Sequence, residues 1–293
     1  MSTLVPAQSS AKATAAAKAP VKEKPRRGLS RLRYTLSLLR SLFITDLLIY
    51  FYTAVMGTLS LLGSVVDSAG RWQHWCARTW SWMILKTSRI SVHVEGGEHV
   101  LADRPIIYCS NHPSAMDIPI MFVHLPVQFR FLAKKALFHL PFLGWHLRRS
   151  GHIPVEREQP KAAMKSFEEA VQKIHAGSSV LLFPEGSRSR DGSLGPFKRG
   201  GFFLAVQAGV PIVPITLNGS REVLPPDTYH IRPGRVEIVF HPPIATEGLT
   251  AKDVSALSGR VRERIQSRFR PPHETIHGEA APGETAPDET AEV

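Results

Sequence analysis

From Leu47 to Val66 the chain reads LLIYFYTAVMGTLSLLGSVV, twenty residues without a charge. As a helix this run is long enough to cross about 30 Å of hydrocarbon. A secretory signal peptide has a shorter apolar core with a small-residue cleavage site close behind it. Here the run is long and the basic stretch before it is extended, so an uncleaved anchor is expected. Just beyond it, Trp72, Trp75, Trp80 and Trp82 alternate with Arg71, Arg78, Lys86 and Arg89. Such a segment suits a lipid headgroup interface, where each ring has one wet and one dry edge. It equally suits an amphipathic helix packed on the protein itself. Residues 34–90 are therefore expected to form a hydrophobic helical hairpin at or in the membrane.

The flanks of the chain differ sharply in charge. Residues 1–33 carry eight Lys and Arg against Glu23 and lack apolar periodicity, which predicts a disordered basic arm. Residues 271–293 carry six acids and no Lys or Arg, which predicts a disordered acidic tail. The whole chain is at +11, so residues 1–270 stand at +17. That excess favours a polyanionic partner, an anionic membrane or nucleic acid. At 43% hydrophobic residues the 293-residue chain has a globular composition, and wholesale disorder and fibrous folds are excluded. Two cysteines, Cys76 and Cys109, give no disulfide framework and point to a reduced, cytosol-facing protein.

From residue 91 short apolar strands alternate with helices. Strands are expected at 91–95, 105–110, 129–133, 152–155, 179–183, 212–217 and 235–240. One helix is expected over 160–176, with Met164, Phe167, Val171 and Ile174 on one face. Another is expected over 253–269, with Val254, Leu257, Val261 and Ile265 on one face. The alternation predicts an α/β domain over 91–270, a single sheet flanked by helices.

Residues suited to chemistry follow the expected strands. Asn111-His112-Pro113-Ser114-Ala115-Met116-Asp117 begins where the second strand ends. Five residues apart on a regular helix, His112 and Asp117 would diverge, but Pro113 favours a turn that folds the carboxylate onto the imidazole. Such a carboxylate fixes the tautomer and leaves the second ring nitrogen as a base. The same pair would also serve as a plain structural hydrogen bond. Phe183-Pro184-Glu185-Gly186-Ser187-Arg188 ends another strand and offers amides, a hydroxyl and a guanidinium to an anion, or forms an ordinary polar turn. Lys134-Lys135, Arg157 and Lys198-Arg199 add basic side chains at further strand ends.

Taken in order, Asn-His-x4-Asp at 111–117, Gly151-His152-Ile153-Pro154-Val155-Glu156-Arg157, the 183–188 segment and Val210-Pro211-Ile212-Val213-Pro214 resemble the glycerolipid acyltransferase family. Within it the 1-acylglycerol-3-phosphate acyltransferases look most similar. The resemblance covers roughly residues 70–245 and leaves the arm and tail unexplained. It implies transfer of a fatty acyl group from coenzyme A or acyl carrier protein to a glycerolipid hydroxyl. It further implies His112 as base, Asp117 as its partner, and an acceptor site formed by Arg157, Glu185, Gly186, Ser187 and Arg188. Lys134 matches a basic position near the acceptor phosphate, and Glu156 departs from the family pattern. No cofactor or metal is expected beyond the thioester co-substrate, since thioesters react without one and no HExxH is present. The expected partners are a lysophospholipid, the acyl carrier and an anionic membrane rather than nucleic acid. The expected location is the cell membrane, with the catalytic domain facing the cytoplasm. Two other readings stay open: the same reaction on another lyso-lipid, and a non-catalytic basic adaptor.

Overall fold

The computed structural model describes residues 29–67, 69–140, 142–156 and 160–271, the side chains of 29–31 and 160–164 aside. Residues 1–28 of the basic arm, residues 272–293 of the acidic tail, Arg157 and the Met164 side chain thus lie outside the described residues. The chain divides into two units, Met1–Leu36 and Ser37–Val293. The described part of the first, residues 29–36, is helical. Helix α1 (Leu29–Arg40) therefore starts inside the stretch read as an arm. The reason is legible afterwards: Leu29, Leu32, Leu36 and Leu39 recur at helical spacing among the basic residues.

A five-residue π-helical segment, Ser41–Thr45, leads into α2 (Asp46–Gly63). Residues Leu32–Gly63 make a helix long and apolar enough to cross a membrane, by length and composition. Leu47, Tyr50, Phe51 and Leu62 on α2 are 60–69% exposed. After a turn, α3 (Arg71–Ser88) runs back against α2, and the indole N–H of Trp80 donates to Thr53 Oγ1 at 3.0 Å. Helix α3 has one exposed face and one packed face. Trp72, Trp75 and Trp82 are exposed, while Ala77, Ile84 and Leu85 join the core beneath the sheet. Hairpin and α/β domain thus share one hydrophobic core.

The sheet has seven strands: β1 (Ile90–Glu95), β2 (Ile107–Ser110), β3 (Phe129–Lys134), β4 (Ile153–Val155), β5 (Ser179–Leu182), β6 (Ile212–Asn218) and β7 (Gly234–Phe240). Each lies within two residues of its expected position. Their order is β1-β7-β6-β2-β5-β3-β4, parallel throughout except where β7 runs antiparallel to β6. Every residue of β2, β5 and β6 is buried, the mark of central strands covered on both faces. Side chains alternate between two cores, as the strand period requires. Tyr108, Leu181 and Val213 point toward α3 and α4 (Asp117–His124), where Ile120, Met121 and Phe122 wait. Ile107, Cys109, Val180 and Leu182 point to the opposite face, in the cluster that includes Ala170 and Ile174 of α6 (Pro160–His175). That cluster also takes in Leu204 of α7 (Gly200–Ala208) and Leu257, Val261 and Ile265 of α9 (Val254–Arg268). Two short helices complete the fold, α5 (Leu143–Arg149) and α8 (Ser220–Val223).

Candidate active site

The parallel strands β2, β5 and β3 and their neighbour β6 all end on one edge of the sheet. Their loops converge there, where a cleft over a rigid base commonly forms. The turn after β2 opens with Asn111, whose amide pairs with both backbone groups of Leu217 on β6. Nδ2–H donates to the Leu217 carbonyl at 2.9 Å, and the Leu217 N–H donates to Oδ1 at 2.7 Å. This buried bridge fixes where the next residue, His112, leaves the sheet.

His112 and Asp117 meet as the turn predicts: Nδ1–H donates to Asp117 Oδ2 at 2.7 Å. Asp117 is wholly buried, whereas the His112 ring keeps 16% of its surface exposed. The same carboxylate oxygen accepts the Ser114 N–H at 2.9 Å, which shapes the turn. Oδ1 accepts the Ser220 hydroxyl of α8 at 2.6 Å. Nε2 has no hydrogen-bond partner among the described residues. On one face the imidazole stacks on Phe183, with centroids 4.0 Å apart and planes inclined by 15°. Phe131 lies 6.2 Å beyond Phe183 in the same stacked sense, so the imidazole rests on an aromatic column.

Both oxygens of Glu185 are engaged by backbone amides. Its Oε1 accepts the backbone N–H of His112 at 2.8 Å and its Oε2 accepts that of Gly195 at 2.9 Å. The buried carboxylate therefore braces the turn at His112 and the 187–195 loop. Gly186 takes φ +75°, and a Cβ there would come within 3.0 Å of the Lys198 side chain. At that positive φ the turn favours glycine. Lys198 donates its own N–H to the Pro184 carbonyl at 2.8 Å. Ser187 and Arg188 are exposed beside this turn, and Arg188 is 3.8 Å from Asp227. Lys134 is exposed at the end of β3, on the same edge of the sheet. The His112–Asp117 pair, the 185–188 turn and Lys198 thus come together, and Lys134 lies at the end of β3 on the same sheet edge. Arg157 is not placed, though β4 ends two residues before it.

The neighbouring candidate nucleophiles are engaged elsewhere. Ser114 Oγ–H donates to the Leu224 carbonyl at 2.8 Å. Cys109 is fully buried, and burial, with Glu185 nearby, pushes its thiol well above the usual value. Among the described residues no three His, Cys, Asp or Glu side chains are grouped to hold a metal ion.

Several contacts were outside the reach of the sequence. Ser220 carried no motif, only a position after a strand and a glycine. Arg221 donates to the Ser189 carbonyl at 2.8 Å and to that of Arg190, tying the 187–195 loop to α8. Neither its spacing nor its type distinguishes it from other surface arginines.

Residues 91–218 match the family model described as Acyltransferase. A chloroplastic 1-acyl-sn-glycerol-3-phosphate acyltransferase of Brassica napus is 34% identical over 176 residues, 59% of this chain and 51% of that protein. The human 1-acyl-sn-glycerol-3-phosphate acyltransferase alpha is 36% identical over 182 residues, 62% of this chain and 64% of that protein. The chain spans about half the length of the plant relatives it matches. Among solved structures, the 1-acyl-sn-glycerophosphate (LPA) acyltransferase PlsC of Thermotoga maritima superposes with a TM-score of 0.65 at 27% identity. That match covers 80% of this chain and 95% of that one. Motif order, family match and fold agree: residues 91–218 match the Acyltransferase family, and the chain is similar in sequence and fold to these 1-acyl-sn-glycerol-3-phosphate acyltransferases.

Proposed function

We propose that this protein is a membrane-bound 1-acylglycerol-3-phosphate O-acyltransferase of phospholipid synthesis. It moves a fatty acyl group from a coenzyme A or acyl carrier protein thioester to the free hydroxyl of its acceptor, giving phosphatidic acid. The observation that carries this reading is the 2.7 Å contact between His112 Nδ1 and the buried Asp117. With Nδ1–H committed to that carboxylate, Nε2 is the basic nitrogen of a ring that keeps 16% of its surface exposed. It takes the proton of the acceptor hydroxyl as the oxygen attacks the thioester carbonyl. The C–S bond then breaks, and the proton passes from the imidazolium to the departing thiolate. A base so placed contributes roughly 10²–10⁴ in rate. The thioester is the co-substrate, and no further cofactor enters the step.

Lys134, Arg188 and Arg157, with the amides and hydroxyl of Gly186 and Ser187, form the phosphate side of the acceptor site. Among the described residues the Arg188 guanidinium faces the exposed Asp227 at 3.8 Å, a contact a phosphate can displace. The names of the relatives support the acceptor, and the exposed apolar face of α2 supports attachment to a membrane. The catalytic domain then faces the cytoplasm, where acyl thioesters and free cysteines coexist.

The test uses the purified chain in detergent with an acyl-CoA and a panel of lyso-acceptors. Acyl transfer to 1-acylglycerol-3-phosphate is expected, abolished in His112→Ala. Arg188→Lys is expected to reduce kcat/KM for the phosphomonoester acceptor roughly ten- to hundred-fold, since an ammonium cannot hold two phosphate oxygens as a guanidinium does. A phosphate-free acceptor should be little affected. Equal loss on both acceptors would remove Arg188 from phosphate recognition, and preference for another lyso-lipid would redirect the acceptor assignment.

A further inference from the structure

The catalytic dyad has a third member that comes from the far end of the domain. Ser220 is fully buried, and its hydroxyl donates to Asp117 Oδ1 at 2.6 Å, across 103 residues of sequence. The two oxygens of Asp117 are thereby divided. Oδ2 takes His112 and the Ser114 amide, and Oδ1 takes Ser220. A carboxylate held at one oxygen only is free to rock about its χ2 and carry the imidazole with it. Held at both, it presents one oxygen to Nδ1 in a fixed plane.

The surroundings of Ser220 are arranged to keep its hydroxyl in place. Gly219 at the end of β6 takes φ +85°, and a Cβ there would lie 2.4 Å from the Arg235 carbonyl oxygen. No other residue fits that turn without displacing Ser220. Asn218, just before it, is pinned by the Arg268 carbonyl and the Arg270 N–H, each at 2.9 Å. On the other side, Ser114 Oγ–H donates to the carbonyl of Leu224, just after α8, so this segment is fastened to the turn at His112 a second time.

We infer that Ser220 is a positioning residue for acyl transfer, acting through Asp117 to hold the His112 ring at the angle from which Nε2 meets the acceptor hydroxyl. The inference rests on the acyltransferase reading above. It predicts a loss confined to the chemical step, because Ser220 reaches no substrate.

The experiment compares Ser220→Ala, Ser220→Thr, Asp117→Asn and the Ser220→Ala/Asp117→Asn double variant in the full chain. Acyl transfer and thermal unfolding are measured on each. Ser220→Ala should lower kcat roughly ten- to hundred-fold, the loss expected for one hydrogen bond to a charged group. KM for acceptor and donor should stay within about twofold of the parent. Ser220→Thr, which keeps the hydroxyl, should recover most of the activity. In the Asp117→Asn background, Ser220→Ala should have little further effect, since the oxygen it orients has lost its charge. The inference is overturned by an unchanged kcat in Ser220→Ala, or by kcat losses that multiply in the double variant. It is also overturned if kcat falls only in step with the fraction unfolded. A parent chain with no acyl transfer at all would instead overturn the proposed function, so the two failures are separable.

Discussion

Glu185→Gln separates a brace from an acceptor ligand at a residue whose motif suggests the second and whose contacts show the first. The parent carboxylate accepts two backbone amides, from His112 and Gly195, at 2.8 and 2.9 Å and only 9% exposed. A glutamine keeps one acceptor oxygen but turns the other position into an NH2 facing an N–H. One charge-assisted bond is lost and its amide is left buried without an acceptor, a loss of about 2–4 kcal/mol. Burial at this depth leaves little solvent screening to discount. For a domain of this size that corresponds to a Tm lower by roughly 5–10 °C. The catalytic turn is loosened as well, so kcat should fall on every acceptor, with or without phosphate. The assay is thermal unfolding of the purified full chain, alongside kcat and acceptor KM on a phosphomonoester and a phosphate-free acceptor. An unchanged Tm together with a raised KM for the phosphorylated acceptor alone would refute the reasoning.

Three further outcomes follow from the structure. His112→Ala should abolish transfer while Ser114→Ala retains most of it, at about 1 kcal/mol of stability for its bond to Leu224; capture of a labelled acyl group on Ser114 or Cys109 would contradict direct transfer. Salt washing should leave the protein in the membrane fraction, whereas joint replacement of Leu47, Tyr50, Phe51 and Leu62 by serine should release it. Those side chains are exposed, so a folded variant that stays bound would exclude α2 as the anchor. Acid should destabilise the fold, because burial pushes His152 well below its usual value and holds His146 and His241 at about 4. A group whose folded value lies below its unfolded one, near 6.5, binds more protons when unfolded. Stability is therefore full above about pH 6.5 and declines as pH falls toward 4. Tm measured across that interval should drop steadily, with His241→Gln flattening part of the slope.

The seven strands were legible because short apolar runs ending in turn residues leave few other options for a chain of this composition. The helices α6 and α9 were legible from one-sided apolar spacing, and the contact of His112 with Asp117 from Pro113 between them. Other features depended on distance in sequence, which local patterns do not carry. Ser220 meets Asp117 only because β6 lies beside β2 in the sheet. Glu185 braces His112 because β5 is the other neighbour of β2, and the FPEG segment alone reads as either an anion-binding or an ordinary polar turn. The tryptophan-rich helix could be read two ways because it has two faces, one exposed and one in the core.

The base of the hairpin is joined to the α/β domain by more than peptide bonds. Arg40 donates to the Ile231 carbonyl at 3.3 Å, and Ser41 Oγ donates to the Tyr229 carbonyl and accepts the Ile231 N–H at 3.2 and 2.9 Å. Farther along, Ser60 of α2 hydrogen-bonds His146 of α5 at 2.7 Å. With the exposed face of α2 set against a membrane, as proposed, these ties act as struts and not as a leash. A leash lets a catalytic head tumble and sample a shell of heights above the lipid; struts hold the cleft at one tilt and one standoff. An acceptor diffusing in the plane of the membrane then always meets the cleft from the same side, and the orientational search that slows encounters in solution is reduced to two dimensions.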